Sequence, residues 1–150
     1  MSTENSKAIT RRFYEEVFDR GNLDYADEVL DPNCVDHDKF NPMGNLEGFK
    51  QSVASLKEAF PDSKMVIEDL ITEGDKVVVR VTMQGTNTGP LSMGPGSTIP
   101  ATGKSLTATG IDIMQFSGDK IVEHWGEFDM MGMMQQLGII PMPGQASAMA

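Results

Sequence analysis

The first sixty residues repeat their apolar side chains at helical spacing. The segment 6–20 is predicted to be a helix, since its apolar residues lie four apart: Ile9, Phe13 and Val17. A short second helix follows, and the Asp-Pro-Asn sequence at 31–33 is expected to break it. A third helix begins after Asn45 as its cap, with apolar residues at intervals of three and four: Leu46, Phe49, Val53, Leu56 and Phe60.

The remainder of the chain alternates at the spacing of two that β-strands show. Residues 34–43 read as a short strand and a loop, and 64–72 and 76–86 read as longer strands. The segment 89–103 is rich in Gly, Pro and Ser and is expected to be a loop. A hairpin is predicted from 104–116 and 120–126, with a short last helix at 129–137. The order of elements predicts an α+β fold, in which three N-terminal helices pack on a curved sheet and leave a cavity.

Length and charge restrict the class of protein. The 150 residues fit one domain, taken as 1–140 with a C-terminal tail at 141–150. The net charge of −10 argues against nucleic acid as a partner, because phosphates require a basic surface. No apolar run is long enough for a membrane span, so no membrane association is expected. Cys34 is the only cysteine, which is consistent with a reducing compartment and predicts a cytoplasmic location.

Methionine is unusually frequent, with twelve residues. Its flexible side chain fills irregular gaps in a core, and it also lines adaptable apolar pockets. The sequence leaves both interpretations open. The last helix concentrates four of these residues, which could close one end of a cavity: Met130, Met131, Met133 and Met134.

The two histidines are the first candidates for chemistry, and His124 has a predicted partner. If the final hairpin pivots on Gly118, Asp112 stands directly opposite His124, and Met114 stands opposite Val122. Opposed residues share a face of the sheet with their Cβ atoms about 5 Å apart. An aspartate on the concave face could orient the imidazole and raise its basicity, so Asp112 and His124 are the predicted catalytic pair. The alternative is a purely structural pair, or a slip of register that separates the two.

A second group of residues is predicted to bind substrate. Asp36 and His37 are neighbours on a strand, so at most one of them enters the cavity, and Asp38 could share the face of Asp36. Three consecutive residues lack the spacing of a metal site, and no metal is expected. Tyr14 and Phe18 are expected to contact the ligand from the first helix. The apolar wall of the cavity is assigned to three further residues: Val81, Met83 and Met114.

The opposite face of the sheet is predicted to be a subunit contact. Glu123 and Trp125 alternate with His124 and should therefore point to the convex side, as should Arg80 and Gln84. A self-complementary face of this kind favours a homodimer.

Several segments together resemble a known family. These are GTNTGPL at 85–91, PATGK at 100–104, GIDIMQFSGDKIVEHW at 110–125 and QQLG at 135–138, with DPNCVDH at 31–37 matching in position. The chain resembles the SnoaL-like polyketide cyclases over about residues 6–140. The resemblance implies the cone-shaped, curved mixed or antiparallel sheet of proteins related to nuclear transport factor 2.

The resemblance also implies a chemistry. Cyclases of this family close an aromatic polyketide ring by an intramolecular aldol reaction, without metal or cofactor. Their acid/base aspartate falls two residues after the histidine of the last strand, where this sequence has Gly126. The partner histidine of the family falls where this sequence has Asp112. The acid/base pair is therefore rearranged, with His124 matching the family's own strand histidine.

Three functions remain open from the sequence. The first is a cofactor-free enzyme that moves protons in a small hydrophobic carbonyl compound, as in aldol cyclisation, isomerisation or hydrolysis. The second is a non-catalytic small-molecule binder that uses the same cavity, which Gly126 favours. The third is an assembly domain that acts through the convex sheet.

Overall fold

The structure is a computed structural model that describes residues 3–94, 96–142 and 144. Its elements follow one another as α1 (Thr3–Phe13), a π-helical segment (Tyr14–Asp19), α2 (Leu23–Val29), β1 (Leu30–Asp36), α3 (Leu46–Ala59), β2 (Lys64–Glu73), β3 (Lys76–Thr86), β4 (Leu91–Ser92), β5 (Thr98–Ile99), β6 (Ser105–Ser117), β7 (Lys120–Phe128) and α4 (Met130–Gln136).

The main sheet has five strands in the order β1-β7-β6-β3-β2. All neighbours are antiparallel except β1 and β7, which run parallel, so the sheet is mixed. Alternation puts Val77, Val79, Val81 and Met83 on the face that the helices cover. The predicted α+β class, with N-terminal helices on a mixed sheet and a short C-terminal helix, is confirmed.

The N-terminal helix changes its winding where an unbroken α-helix was expected. α1 ends at Phe13 and continues as the π-helical segment to Asp19. The wider turn places Tyr14 and Phe18 one above the other, and their rings stack at 5.2 Å. Such segments are rare and are concentrated at functional sites, which draws attention to Tyr14.

The residues expected to break the second helix form the start of β1. Pro32 lies inside this strand, which is possible because β1 is at the edge of the sheet and is irregular between Leu30 and Val35. The strand therefore begins earlier than the sequence pattern indicates. It brings Asp36 beside His124, with which it is paired in register.

The loop expected at 89–103 contains a small two-stranded sheet, β4 and β5. Asn87 fastens this segment to the end of α3 and is fully buried. Its amide nitrogen donates to the carbonyl oxygens of Ala59 (3.2 Å) and Gly89 (2.9 Å). Its amide oxygen accepts from the backbone N–H and the hydroxyl of Thr102, both at 2.9 Å. The side chain thus uses its donors and acceptors fully.

The buried side chains form two clusters. The first lies between the N-terminal helices and the sheet, and it contains a group of aromatic rings in mutual contact: Phe13, Tyr14, Phe18 and Phe49. The second joins the end of α3 to β6 and α4 around Phe60, Met83, Leu106 and Met133. Among the described residues, no helix is long and apolar enough to cross a membrane. Most of the predicted tail at 141–150 lies outside the described residues.

Candidate active site

The hairpin that carries the predicted catalytic pair has a different register from the expected one. Asp112 lies opposite Gly126, and Met114 lies opposite His124. The turn is shorter than expected, and an irregularity between Gln115 and Phe116 shifts the pairing again. The predicted direct opposition of Asp112 and His124 is therefore wrong. The slip amounts to two residues, however, so both side chains stay on the same face of the sheet.

His124 is held between two carboxylates on that face. Its Nδ1 lies 2.8 Å from Oδ1 of Asp36, and its Nε2 lies 3.1 Å from Oδ1 of Asp112. Both partners are acceptors, so both ring nitrogens donate. Tyr14 adds a third donor, because its hydroxyl donates a short hydrogen bond to Oδ2 of Asp112. The four side chains form one continuous chain of hydrogen bonds between helix and sheet.

Burial and charge shift the pKa values of this cluster in opposite directions. Burial by itself lowers the pKa of His124, but its hydrogen bonds to Asp112 and Asp36 outweigh this effect and raise the pKa to about 10. Burial favours the neutral form of Asp36, yet the hydrogen bond from His124 leaves the pKa of this carboxyl below its usual value. Burial, reinforced by Asp112, raises the pKa of Tyr14 well above that of a free tyrosine. At neutral pH the cluster therefore holds an imidazolium, an ionised Asp36 and a neutral phenol.

A further carboxylate, which the sequence analysis did not assign to the site, enters the cluster beside Gly126. An ideal Cβ at position 126 would collide with Oδ2 of Asp38 and would lie 2.7 Å from Oδ1 of Asp112. The segment after β1 turns back because the N–H of Asp38 donates to Oδ1 of Asp36 at 3.0 Å. The only signal of this in the sequence is the two-residue spacing of Asp36 and Asp38. Only the turn shows that Asp38 reaches across to β7.

Three of these residues have the spacing of cation ligands. One ligand atom each from Asp38, Asp112 and His124 lies within 4.8 Å of the others. Both ring nitrogens of His124 are already engaged, Nδ1 by Asp36 and Nε2 by Asp112. No metal is assigned to the cluster, and the absence of a metal or cofactor stays a prediction.

The interior around the cluster is packed, whereas an open apolar cavity was expected. Tyr14, Val81 and Met114 are buried in the first cluster, and Phe18 packs against it. The aromatic rings of the helices fill the space that the curved sheet leaves. Met83 belongs to the second cluster and lies opposite Ala108, so it does not join the others around Asp112. The assignment of Met83 to the wall of this site is corrected accordingly.

His37 lies on the other face of the sheet. Its ring stacks on that of Trp125 with centroids 5.3 Å apart, and its Nε2 lies 2.7 Å from Oε2 of Glu123. Because strand neighbours point to opposite faces, the buried position of Asp36 excludes His37 from the interior. Its assignment to substrate binding is corrected, while Asp36 lies in the cluster.

Two clefts among the described residues lie away from the cluster. One, of about 300 Å³, is lined by residues that include Asp62, Gln84 and Ser105. The other, of about 360 Å³, lies along Arg80, Ile111 and further residues of β6 and β7. Neither is lined by Asp112, His124 or Tyr14. Three methionines of α4 pack in the second cluster, where Met133 is buried and Met130 and Met134 are partly buried. Met131 is 65% exposed, so it does not close a cavity.

Comparison with known sequences decides the family. The sequence profile of the SnoaL-like polyketide cyclases matches residues 8–137. The chain belongs to this family. No curated protein sequence matches this SnoaL-like chain.

Solved structures resemble the SnoaL-like chain over nearly their whole length. TsrD from Streptomyces laurentii is 27% identical with a TM-score of 0.81, and the match covers 93% of this chain and 99% of TsrD. A protein of Acidithiobacillus ferrooxidans, named as a candidate polyketide cyclase, is 31% identical with a TM-score of 0.78, over 94% of this chain and 100% of that one. IdmH from Streptomyces antibioticus, also named as a candidate polyketide cyclase, is 27% identical with a TM-score of 0.75, over 89% and 98%.

Proposed function

We propose that this SnoaL-like chain is a cofactor-independent enzyme that transfers protons in a small hydrophobic carbonyl compound. One observation carries the proposal: an aspartate, Asp112, is largely buried, with two proton donors, Tyr14 and His124, on its carboxylate. Such an arrangement is suited to holding a charge that changes during a reaction. Membership of a family of polyketide cyclases agrees with this class of chemistry.

Asp112 is the base in the proposed reaction. The C–H bond next to the substrate carbonyl breaks, its electron pair moves to the carbonyl oxygen, and the proton passes to a lone pair of Asp112. Each oxygen of Asp112 accepts one hydrogen bond and keeps a second lone pair for this proton. His124 is a poor base here, because its raised pKa keeps it protonated at neutral pH. We assign His124 the role of holding Asp112 in place. The resulting enolate could proceed to aldol cyclisation or isomerisation.

Access to the cluster is narrow but present. The side chains of His124 and Asp112 are 12% and 17% exposed. Phe128 shares the inner face of β7 with Gly126, and its ring meets that of Phe40 edge to face with centroids 6.0 Å apart. We propose that substrate enters beside these two rings and that the aromatic side chains above the cluster move to admit it.

The exchange of carbon-bound hydrogen in D₂O tests the proposal. The probe is 2-tetralone, a flat hydrophobic ketone, and ¹H NMR follows the loss of its α-protons. We expect the protein to accelerate the exchange and Gly126→Ala to reduce the acceleration at least about tenfold, because the new methyl displaces the carboxylates of Asp38 and Asp112.

The Gly126→Ala variant should remain folded. Gly126 has no positive φ, and the atoms in the way are the ends of movable side chains. An unchanged melting temperature with a lower exchange rate is therefore the expected pair of results. Exchange at the rate of buffer alone with the native protein would contradict the proposed function.

A non-catalytic binding protein is the second candidate, and one observation favours it. Among the described residues, every buried side-chain nitrogen or oxygen already has a hydrogen-bond partner. A site that is complete without a substrate is also what a structural cluster would show. Saturable binding of 2-tetralone with no accelerated exchange would support this candidate.

We propose that the outer face of the sheet forms a homodimer. Exposed apolar side chains occur there on β2 and β6: Val66 is 40%, Ile71 58% and Ile111 49% exposed. We expect sedimentation to show a dimer, and Ile111→Lys to shift it toward monomer because a charge would be buried in the contact. A native protein that stays monomeric at high concentration would refute the dimer.

The cytoplasmic location stays a prediction.

A further inference from the structure

We infer that Asp38 is a second proton-transferring residue of this site, acting as the acid that protonates the carbonyl oxygen while Asp112 removes the carbon proton. The inference rests on the proposed function and adds a residue that it does not use. It concerns a carboxyl group outside the strands, in the turn that follows β1.

The turn directs one particular oxygen of Asp38 into the cluster. Oδ1 accepts the N–H of Phe40 at 2.8 Å, and the N–H of Asp38 itself is bound to Asp36. These two bonds fix the side chain. Oδ2 is the oxygen that lies against the bare backbone of Gly126, beside Oδ1 of Asp112.

The two neighbouring carboxyl groups have unequal hydrogen-bond partners. Oδ1 and Oδ2 of Asp112 accept hydrogen bonds from His124 and Tyr14. No hydrogen bond to Oδ2 of Asp38 occurs among the contacts of the described residues. Asp38 is therefore the member of the pair with an oxygen free to carry a proton. A pair of carboxyl groups in such unequal surroundings is typical of separate acid and base roles.

The groups around Asp38 shift its pKa in opposite directions. Burial raises its pKa, the N–H of Phe40 and the imidazolium of His124 lower it, and the carboxylates of Asp36 and Asp112 raise it. The net effect is a raised pKa. A carboxyl group of this kind retains its proton to a higher pH than an exposed aspartate does.

The proton balance of the step closes within the site. The O–H bond of Asp38 breaks, and its proton forms a new O–H bond on the substrate carbonyl oxygen. The C–H bond next to the carbonyl breaks, and that proton passes to Asp112. The product is an enol, Asp38 is left ionised and Asp112 protonated. The reverse transfers, or exchange with solvent, restore the starting state without a further reactant.

Titration of the carboxyl groups tests the inference without any substrate. In protein labelled with ¹³C at the aspartate carboxyl, the resonance lost in Asp38→Asn identifies Asp38. We expect it to titrate above the usual pKa of about 3.9. We expect Asp112→Asn to move that pKa down, because the variant removes a nearby negative charge. Asp119→Asn, at the exposed hairpin turn, should leave it in place.

The exchange of 2-tetralone supplies the second measurement. Asp38→Asn keeps an oxygen for the N–H of Phe40, so the turn should hold. It cannot give up a proton, and we expect the exchange rate to fall about 10²-fold. In the native protein the rate should also fall as pH rises through the pKa of Asp38, since the acid is then ionised.

The outcomes separate this inference from the proposed function. Native exchange in Asp38→Asn, with exchange abolished in Asp112→Asn, would overturn the role of Asp38 and leave the function intact. Loss of exchange in both variants, together with a raised pKa of Asp38, would support both. An Asp38 resonance that titrates like an exposed aspartate would overturn the inference even if exchange were lost.

Discussion

Asp112→Asn should lower the proposed acceleration of 2-tetralone exchange by about 10²–10⁴-fold, the range expected when a general base is removed. Tyr14 donates to one oxygen of Asp112 and His124 lies against the other, and asparagine has an NH₂ group in place of one of these acceptors. Its amide cannot take a proton from carbon. The loss should appear in kcat, because the base acts in the chemical step.

The same variant should change the titration of His124. Its hydrogen bond to Asp112 is the largest of the contributions that raise its pKa to about 10. We expect ¹H–¹⁵N NMR of the imidazole to show a lower pKa in Asp112→Asn, and no change in Asp119→Asn. Unaltered exchange in both Asp112→Asn and His124→Ala would remove the cluster from the mechanism.

Asn87→Ala should produce the largest loss of stability. The substitution deletes four hydrogen bonds at a fully buried position. A buried polar group left without a partner costs about 1–3 kcal/mol, and here the carbonyl of Gly89 and the N–H of Thr102 lose the bonds they make to Asn87. The carbonyl of Ala59 loses one of its two donors and keeps the N–H of Gly89 at 3.3 Å. We expect the free energy of unfolding to fall by about 3 kcal/mol, which lowers the melting temperature by about 10 °C.

The matched control for this substitution is Asn33→Ala. Asn33 is exposed on β1, and surface changes of this kind alter stability by about 0.5 kcal/mol or less. Thermal unfolding followed by circular dichroism measures both variants. If Asn87→Ala and Asn33→Ala have the same melting temperature, the role of Asn87 in fastening the loop to α3 is refuted.

The fold could be predicted largely from periodicity. Side chains that face the core must be apolar, so burial produces the apolar spacing of α3 and the alternation of β3. These two patterns therefore identify the buried face of each element. The start of β1 could not be predicted in this way, because an edge strand tolerates proline and needs no regular apolar pattern. The π-helical segment could not be predicted from periodicity either, since one wider turn leaves the apolar stripe of the helix almost unchanged.

The site could be predicted only in part, because it depends on register and on one turn. The sequence identified Asp112 and His124 as partners through a pairing that was wrong by two residues. It succeeded because an even slip preserves the face of each side chain. It assigned both Asp36 and His37 to substrate binding, with at most one of them in the interior, and only Asp36 lies there. Asp38 could not be assigned, because its approach to Gly126 depends on a turn that no periodic pattern reports.

The parallel pairing of β1 with β7 has a consequence for how the protein is made. Asp36 and His124 are separated by 88 positions in sequence, yet they are bonded neighbours. On the ribosome, the imidazole side of the site is synthesised last, and the edge strand must wait unpaired until β7 emerges. Contacts of such long range fold slowly, since a large loop must close before they form. The bond between Asp36 and His124 should therefore be among the last contacts that a refolding chain recovers, after its helices and the β2–β3 hairpin.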